Sequence, residues 1–252
     1  MTAVLLREAK GGVLTLTLNR PDKRNALSSE LIDALRAAAE DADLDPEVRV
    51  LVIRGAGRDF CAGLDLAELL ASVDRSLAEN EAAALSLGEL FLVLRRIPKP
   101  VIAAVRGNAL AGGCGLATAC DLVLAAADAR LGYPEVQRGF VPAMVLVLLR
   151  RLVGETLAFD LAATGRLLTA VEAREAGLVS RIVSPETFDT EVASVAAALA
   201  GGSATALGLT KKLLYDLDGL SVADGVRLGA RVNALARSTP ELRELVSRFL
   251  GR

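Results

Sequence analysis

Apolar and polar positions along the chain alternate between two kinds of pattern. Val13 to Asn19, Val48 to Arg54 and Val101 to Val105 are short runs rich in Val, Leu and Ile, the composition that suits buried strands. Leu122 to Ala125 is a shorter run of the same kind, and Arg181 to Val183 a weaker one. Between these runs the apolar spacing changes to three and four residues. Ser28 or Ser29 can cap a helix through about Asp41, with Leu31, Leu35 and Ala38 on one face. A long helix around Glu81 to Arg96 aligns Leu87, Leu90, Leu94 and Ile97, and stops before Pro98 because the residue preceding proline avoids helical backbone. Alternating strands and helices predict an α/β architecture with largely buried strands.

From Val141 onward the pattern becomes almost wholly helical. Thr169-Ala-Val-Glu172 is a capping box, and Thr239-Pro240 starts a terminal helix with proline at its first position. The uncharged stretch Val192 to Thr210 approaches membrane length, but Gly201-Gly202-Ser203 divides it, so it reads as two helices and a turn, with no membrane span expected. The expected organisation is an α/β core over residues 1–190 followed by a helical region over 191–252.

Composition narrows the chemistry. With 252 residues, 52% of them hydrophobic and 24% charged, the chain can bury roughly 70–75% of its unfolded surface without staples. A net charge of −2 leaves no electrostatic footprint for nucleic acid or an anionic membrane. The sequence contains no histidine, which removes Ser-His and Cys-His nucleophiles, the usual zinc sites and any imidazole base. Cys61, Cys114 and Cys120 are odd in number and sit among apolar residues, so they read as reduced, buried thiols of a cytoplasmic protein. Arg7, Glu8 and Lys10 interrupt the apolar start, and no signal peptide is expected.

Three segments could carry chemistry. Asp59-Phe-Cys-Ala-Gly-Leu-Asp-Leu66 follows a strand as a turn of small residues, which can expose backbone N–H groups to an oxyanion. Arg106 to Leu116 follows the next strand; a helix beginning near Gly112 would aim its unpaired amides at whatever lies beyond it. Neither segment is a dinucleotide fingerprint, and no glycine precedes a lysine, so there is no Walker-type phosphate loop. The third is Gly132-Tyr-Pro-Glu-Val136. Glu135 stands among Leu131, Tyr133, Val136, Phe140 and Val141, where desolvation would raise its pKa toward a useful value for proton transfer. Two amide-bearing turns and one carboxyl are the apparatus for stabilising a thioester enolate.

The set Asn19-Arg-Pro-Asp-Lys-Arg-Asn-Ala-Leu27, Phe60-Cys-Ala-Gly-Leu-Asp-Leu66, Gly107-Asn-Ala-Leu-Ala-Gly-Gly-Cys114, Ala119-Cys-Asp-Leu122 and Tyr133-Pro-Glu135 resembles the enoyl-CoA hydratase/isomerase (crotonase) superfamily over nearly the whole chain. The resemblance implies a crotonase-like spiral of ββα turns carrying a CoA-thioester site, with a helical C-terminal region for trimerisation and active-site cover. It implies a homotrimer or a dimer of trimers. The Leu64 and Gly112 amides would hold the thioester carbonyl, with Glu135 as the proton carrier. Arg24, Ala26, Ala62, Gly63, Leu64, Asp65, Gly112 and Gly113 would line the CoA path, with Arg24 near the phosphates. Lys211 and Lys212, two of five lysines, would reach the nucleotide phosphates or lie on a solvated helix face. No separate cofactor and no metal are implied, since CoA belongs to the substrate.

One position departs from the two-carboxylate pattern of that superfamily: Gly115 stands where its hydratases carry a second glutamate. Addition of water to a 2-enoyl-CoA is the first expectation. A 3-enoyl to 2-enoyl isomerase needs only one base and is the alternative, and a non-catalytic thioester-binding scaffold is a weaker third.

Overall fold

The computed structural model describes residues 3–251. Its first six-stranded sheet runs in the order β1 (Leu5–Lys10), β2 (Val13–Leu18), β3 (Val50–Gly55), β4 (Val101–Val105), β6 (Leu122–Ala126), β9 (Arg181–Val183). The β1–β2 pair is an antiparallel hairpin and every later pairing is parallel. A second sheet holds β5 (Asn108–Leu110), β7 (Arg130–Gly132) and β8 (Leu167–Thr169). Single bridges extend it, Cys61 to Ala109 and Leu27 to Leu64. Each turn of the chain therefore lays one strand in the large sheet and one short extended segment in the small one, then returns through a helix.

Strand composition explains the layering. Residues of alternate parity in β3, β4 and β6 are buried on opposite faces. Leu51, Ile53, Ala103, Val105, Val123 and Ala125 join the main core. Val50, Val52, Ile102, Ala104, Leu124 and Ala126 meet Phe188, Val192, Val195 and Ala196 on the other side. Strands covered on both faces have no polar side to alternate with, which is why they read as continuous apolar runs. The main core is closed by α1 (Ser29–Leu44), α3 (Leu77–Arg96), α4 (Gly112–Ala119) and α5 (Ala143–Thr164). The remaining short helices, α2 (Leu66–Ala71) and α6 (Ala170–Glu175), cap turns of the spiral.

Several expectations are revised. The first strand, β1, carries charged residues on an edge, exposed from Leu6 to Lys10, and has no apolar run to announce it. The long helix α3 starts at Leu77, four residues before the expected start, because Ser76 and Glu79 form a capping box. The boundary at residue 190 falls inside α7 (Phe188–Ala200), whose Val192, Val195 and Ala196 pack beneath the large sheet. The helical region that leaves the core thus begins at α8 (Ala204–Asp216) and continues through α9 (Val222–Arg237) and α10 (Pro240–Phe249). The turn at Gly201–Ser203 separates α7 from α8, which are bent by 101°, and among the described residues no single helix is long and apolar enough to cross a membrane. Neither α9 nor α10 buries a residue, though Val226, Leu235, Leu242, Leu245, Val246 and Phe249 are apolar and exposed.

Candidate active site

The site is built where the two sheets meet. Asn25 is fully buried with a left-handed backbone, and its side chain ties two loops together. Its amide donates to the carbonyls of Ala56 and Asp59, and its oxygen accepts from the Arg20 amide. Around this hub lie two ion pairs, Arg20 to Asp65 and Arg24 to Asp59, at 2.7 and 2.8 Å. Burial alone would raise the Asp59 pKa, but hydrogen bonds from Arg24 and Asn108 outweigh it and hold the carboxyl below its usual range. Asp65 is held low by Arg20, and its other oxygen caps α2 through the Ala67 amide. Both carboxylates are occupied in shaping the loops. Arg24 keeps a half-exposed side chain engaged only at Nε, with its outer nitrogens open to an anion.

The loop from Cys61 to Asp65 lies against the start of α4. Ala62 donates to the Arg24 carbonyl, Leu27 to the Gly63 carbonyl and Asp65 to the Leu27 carbonyl, so the peptides on either side of Leu64 are pinned. The Leu64 amide has no acceptor among the described residues, and neither has that of Gly112, the first residue of α4. The two are neighbours: a Cβ placed on Gly63, which has φ +97°, would lie 3.5 Å from the Gly112 nitrogen and 2.8 Å from the Ala111 Cβ. A Cβ placed on Gly112 would meet the Leu27, Leu87 and Leu64 side chains at 3.5–3.9 Å, ordinary contact distances, which makes the vicinity apolar. Dipoles in such surroundings act on charge more strongly than in water.

Ala111, which delivers Gly112, has φ 51° and ψ −128°, a backbone conformation suited to glycine. Strain of this kind costs on the order of 1–3 kcal/mol and collects at functional sites. Ala111→Gly is accordingly expected to hold or raise the melting temperature, where alanine-to-glycine changes ordinarily lower it. A fall of several degrees would contradict the strain.

Glu135 arrives from the adjoining strand. Leu110 in β5 pairs with Gly132 in β7, and the Ala111 amide donates to the Gly132 carbonyl at 2.8 Å. Three residues on, in a 3-10 turn at Pro134–Arg138, Glu135 is 7% exposed. Its Oε2 is buried and has no hydrogen-bond partner among the described residues. Burial raises its pKa, offset in part by a backbone hydrogen bond and by Arg138. The expected apolar company is only partly present: Leu131 and Tyr133 are fully buried, whereas Val136, Phe140 and Val141 face outward. The 3-10 turn that carries Glu135 also packs against α5.

The remaining candidates divide. Gly113 is held by packing, since a Cβ there would meet the Cys61 carbonyl at 2.4 Å. A Cβ at Gly115 would meet Val145 Cγ1 at 2.2 Å and Phe91 Cζ at 3.0 Å, so α3 and α5 fill the space beside the position where a second carboxylate would begin. Cys61 and Cys114 are buried thiols pushed up to about 12 by desolvation, which keeps them protonated. Lys211 is corrected: it is buried, and its ammonium donates to Asp121 Oδ2 at 2.8 Å and to the Leu94 and Lys99 carbonyls at 2.7 and 2.9 Å. All three of its donors point into the protein, leaving none for a phosphate. Lys212 lies on the solvated face of α8, paired with Asp216. Sequence reasoning missed the roles of Asn25 and Asp121. For Asp121 the available signal was a charge in an otherwise apolar run; Asn25 lies in a polar segment that offered none.

The comparisons with known proteins agree with this architecture. The family model described as enoyl-CoA hydratase/isomerase matches residues 8–250. A provisionally named enoyl-CoA hydratase of Thermus thermophilus is 46% identical over 245 residues, covering 97% of each chain. The 2,3-dehydroadipyl-CoA hydratase of Escherichia coli is 36% identical over 239 residues, 94% of this chain and 92% of that one. The crystal structure of an enoyl-CoA hydratase from Mycobacterium smegmatis superposes with a TM-score of 0.94 at 33% identity, over 99% of this chain and 97% of that one. The chain belongs to the enoyl-CoA hydratase/isomerase family and has the crotonase fold.

Proposed function

We propose that this enzyme binds an acyl-CoA thioester with its carbonyl oxygen between the Leu64 and Gly112 amides and adds water to a 2-enoyl-CoA through Glu135. The observation that carries the reading is the buried Oε2 of Glu135, without a partner among the described residues, on the 3-10 turn that follows the strand hydrogen-bonded to the segment delivering Gly112. An uncompensated carboxyl in an apolar place is costly, and a reacting proton is the partner it lacks. The carboxylate takes a proton from water as the oxygen bonds to C3. The electrons of the double bond move onto the thioester oxygen, where the two amides receive them. Glu135 then returns the proton to C2, and the carboxylate is restored. Each donor contributes about 2.7–4 kcal/mol to a transition state of this kind.

Arg24 would meet the CoA phosphates, with Ala26, Ala62, Gly63, Leu64, Asp65, Gly112 and Gly113 along the pantetheine path. CoA arrives as part of the substrate, with no separate cofactor. Association of three copies would cover the apolar residues of α9 and α10, and a cytoplasmic location suits the three free, buried cysteines.

A second reading is favoured by the filled space at Gly115. Without a second carboxylate to orient water, the same glutamate can remove a proton from C2 of a 3-enoyl thioester and return it at C4. Supplying the purified enzyme with short 2-enoyl and 3-enoyl thioesters separates the two. Hydration predicts a 3-hydroxyacyl product from the first; a shifted double bond with no hydroxylated product would make the enzyme an isomerase.

The Gly112 donor has its own test. Proline is tolerated at the first position of a helix and lacks an N–H. Placed in an Ala111→Gly background, where no Cβ crowds the proline ring, Gly112→Pro is expected to lower kcat by about 10²–10³-fold. Turnover equal to that of Ala111→Gly alone would remove Gly112 from the mechanism.

A further inference from the structure

A polar cavity lies outside the carboxyl ends of β3, β4, β6 and β9, the place where open parallel sheets bind ligands. Its volume is about 480 Å³, and Arg58, Arg106, Asn108, Asp128 and Arg130 line it. None of the residues assigned to the thioester does. The guanidiniums are short of acidic partners. Among the described residues Arg58 and Arg130 pair with no carboxylate, and Arg106 shares Asp189 with Arg54 at 3.2 Å to each. The Arg106 Nε is buried and has no acceptor among the described residues. Gly107, with φ +57°, fixes the wall: a Cβ there would meet the Arg58 carbonyl at 2.4 Å and Asp59 Oδ1 at 2.8 Å. The loops are thereby clamped together before any ligand arrives.

We propose that this cavity binds the phosphate group of a small phosphorylated molecule, at a site separate from the thioester. With Arg54 and Asp189 counted beside the lining residues, four arginines stand against the two carboxylates of Asp128 and Asp189, a surplus of two positive charges in a chain whose net charge is −2. A phosphate monoester carries about the same charge with opposite sign and offers three terminal oxygens to forked donors. The volume exceeds that of phosphate alone and lies within the range of small-molecule sites.

Calorimetric titration with glycerol 3-phosphate at fixed ionic strength tests this. Saturable binding is expected for the wild type, weakened at least about tenfold in Arg58→Gln/Arg130→Gln. Both substituted side chains are exposed, so the fold and the KM for acyl-CoA should be unchanged. Saturating CoA should leave the binding intact. Absence of saturable binding, equal binding by the double variant, or tighter binding of citrate would overturn the proposal. Displacement by CoA would also overturn it, by assigning the cavity to the thioester site.

Discussion

Glu135→Gln is expected to lower turnover of enoyl-CoA substrate by about 10²–10⁴-fold, the loss that follows removal of a positioned acid–base group. The same change should stabilise the protein at neutral and alkaline pH. Burial raises the carboxyl pKa, so the folded state holds this proton more tightly than the unfolded chain does. The stabilisation that the protonated form supplies is complete below the unfolded pKa. It is lost as pH rises through the higher, folded value. Above that point the wild type carries a buried charge with an unpartnered oxygen, and glutamine carries none. Melting temperatures of the two proteins should therefore diverge as pH increases, the variant lying above. Undiminished turnover would remove Glu135 from the chemistry. Parallel melting curves across the pH series would show that burial places no penalty on its charge.

The largest expected effect on stability comes from Lys211→Met. Lys211 joins α8 to the core through Asp121, which also accepts from the Tyr215 hydroxyl at 2.6 Å and the Val101 amide at 2.7 Å. Burial pulls the Lys211 pKa down, and Asp121 opposes it. Removing the ammonium alone leaves Asp121 charged and the Leu94 and Lys99 carbonyls without their donor, a loss of about 3–5 kcal/mol for a buried pair. Asp121→Asn/Lys211→Met should recover part of that loss, because no lone charge remains. Urea unfolding of both variants measures it. A single variant as stable as wild type would mean that α8 is held by apolar contact alone. Lys212→Met, on the exposed face, serves as the control.

The alternation of strand and helix, the start of α4 at Gly112, and the capping boxes and turns of the C-terminal half are short-range matters, and the order of residues specifies them. Local composition carried β2, β3, β4, β6 and β9 because each is rich in Val, Leu, Ile or Ala. It could not carry β5, β7 and β8, three residues each, whose extended backbone is held by partners distant in the chain. Glu135 was recognisable as a candidate from its neighbours in sequence. Three of those neighbours, Val136, Phe140 and Val141, are exposed, and the burial of the carboxyl depends on segments the fold brings against its turn, α5 among them.

Lysine 211 marks the boundary between the two kinds of information. In sequence it is half of a basic pair on a helix, equally suited to solvent or to a phosphate. In the fold it faces Asp121, ninety residues earlier, and the carbonyls at the end of α3. Gly115 is similar: its missing side chain is evident in the sequence, but only the approach of Val145 and Phe91 decides that nothing larger fits. Propensity, capping and the absence of histidine act within a few residues or through composition alone, so the chain by itself settles them. Which charge is buried, which amide is left unpaired and which cavity collects arginines depend on contacts between distant segments, and those exist only once the spiral has closed.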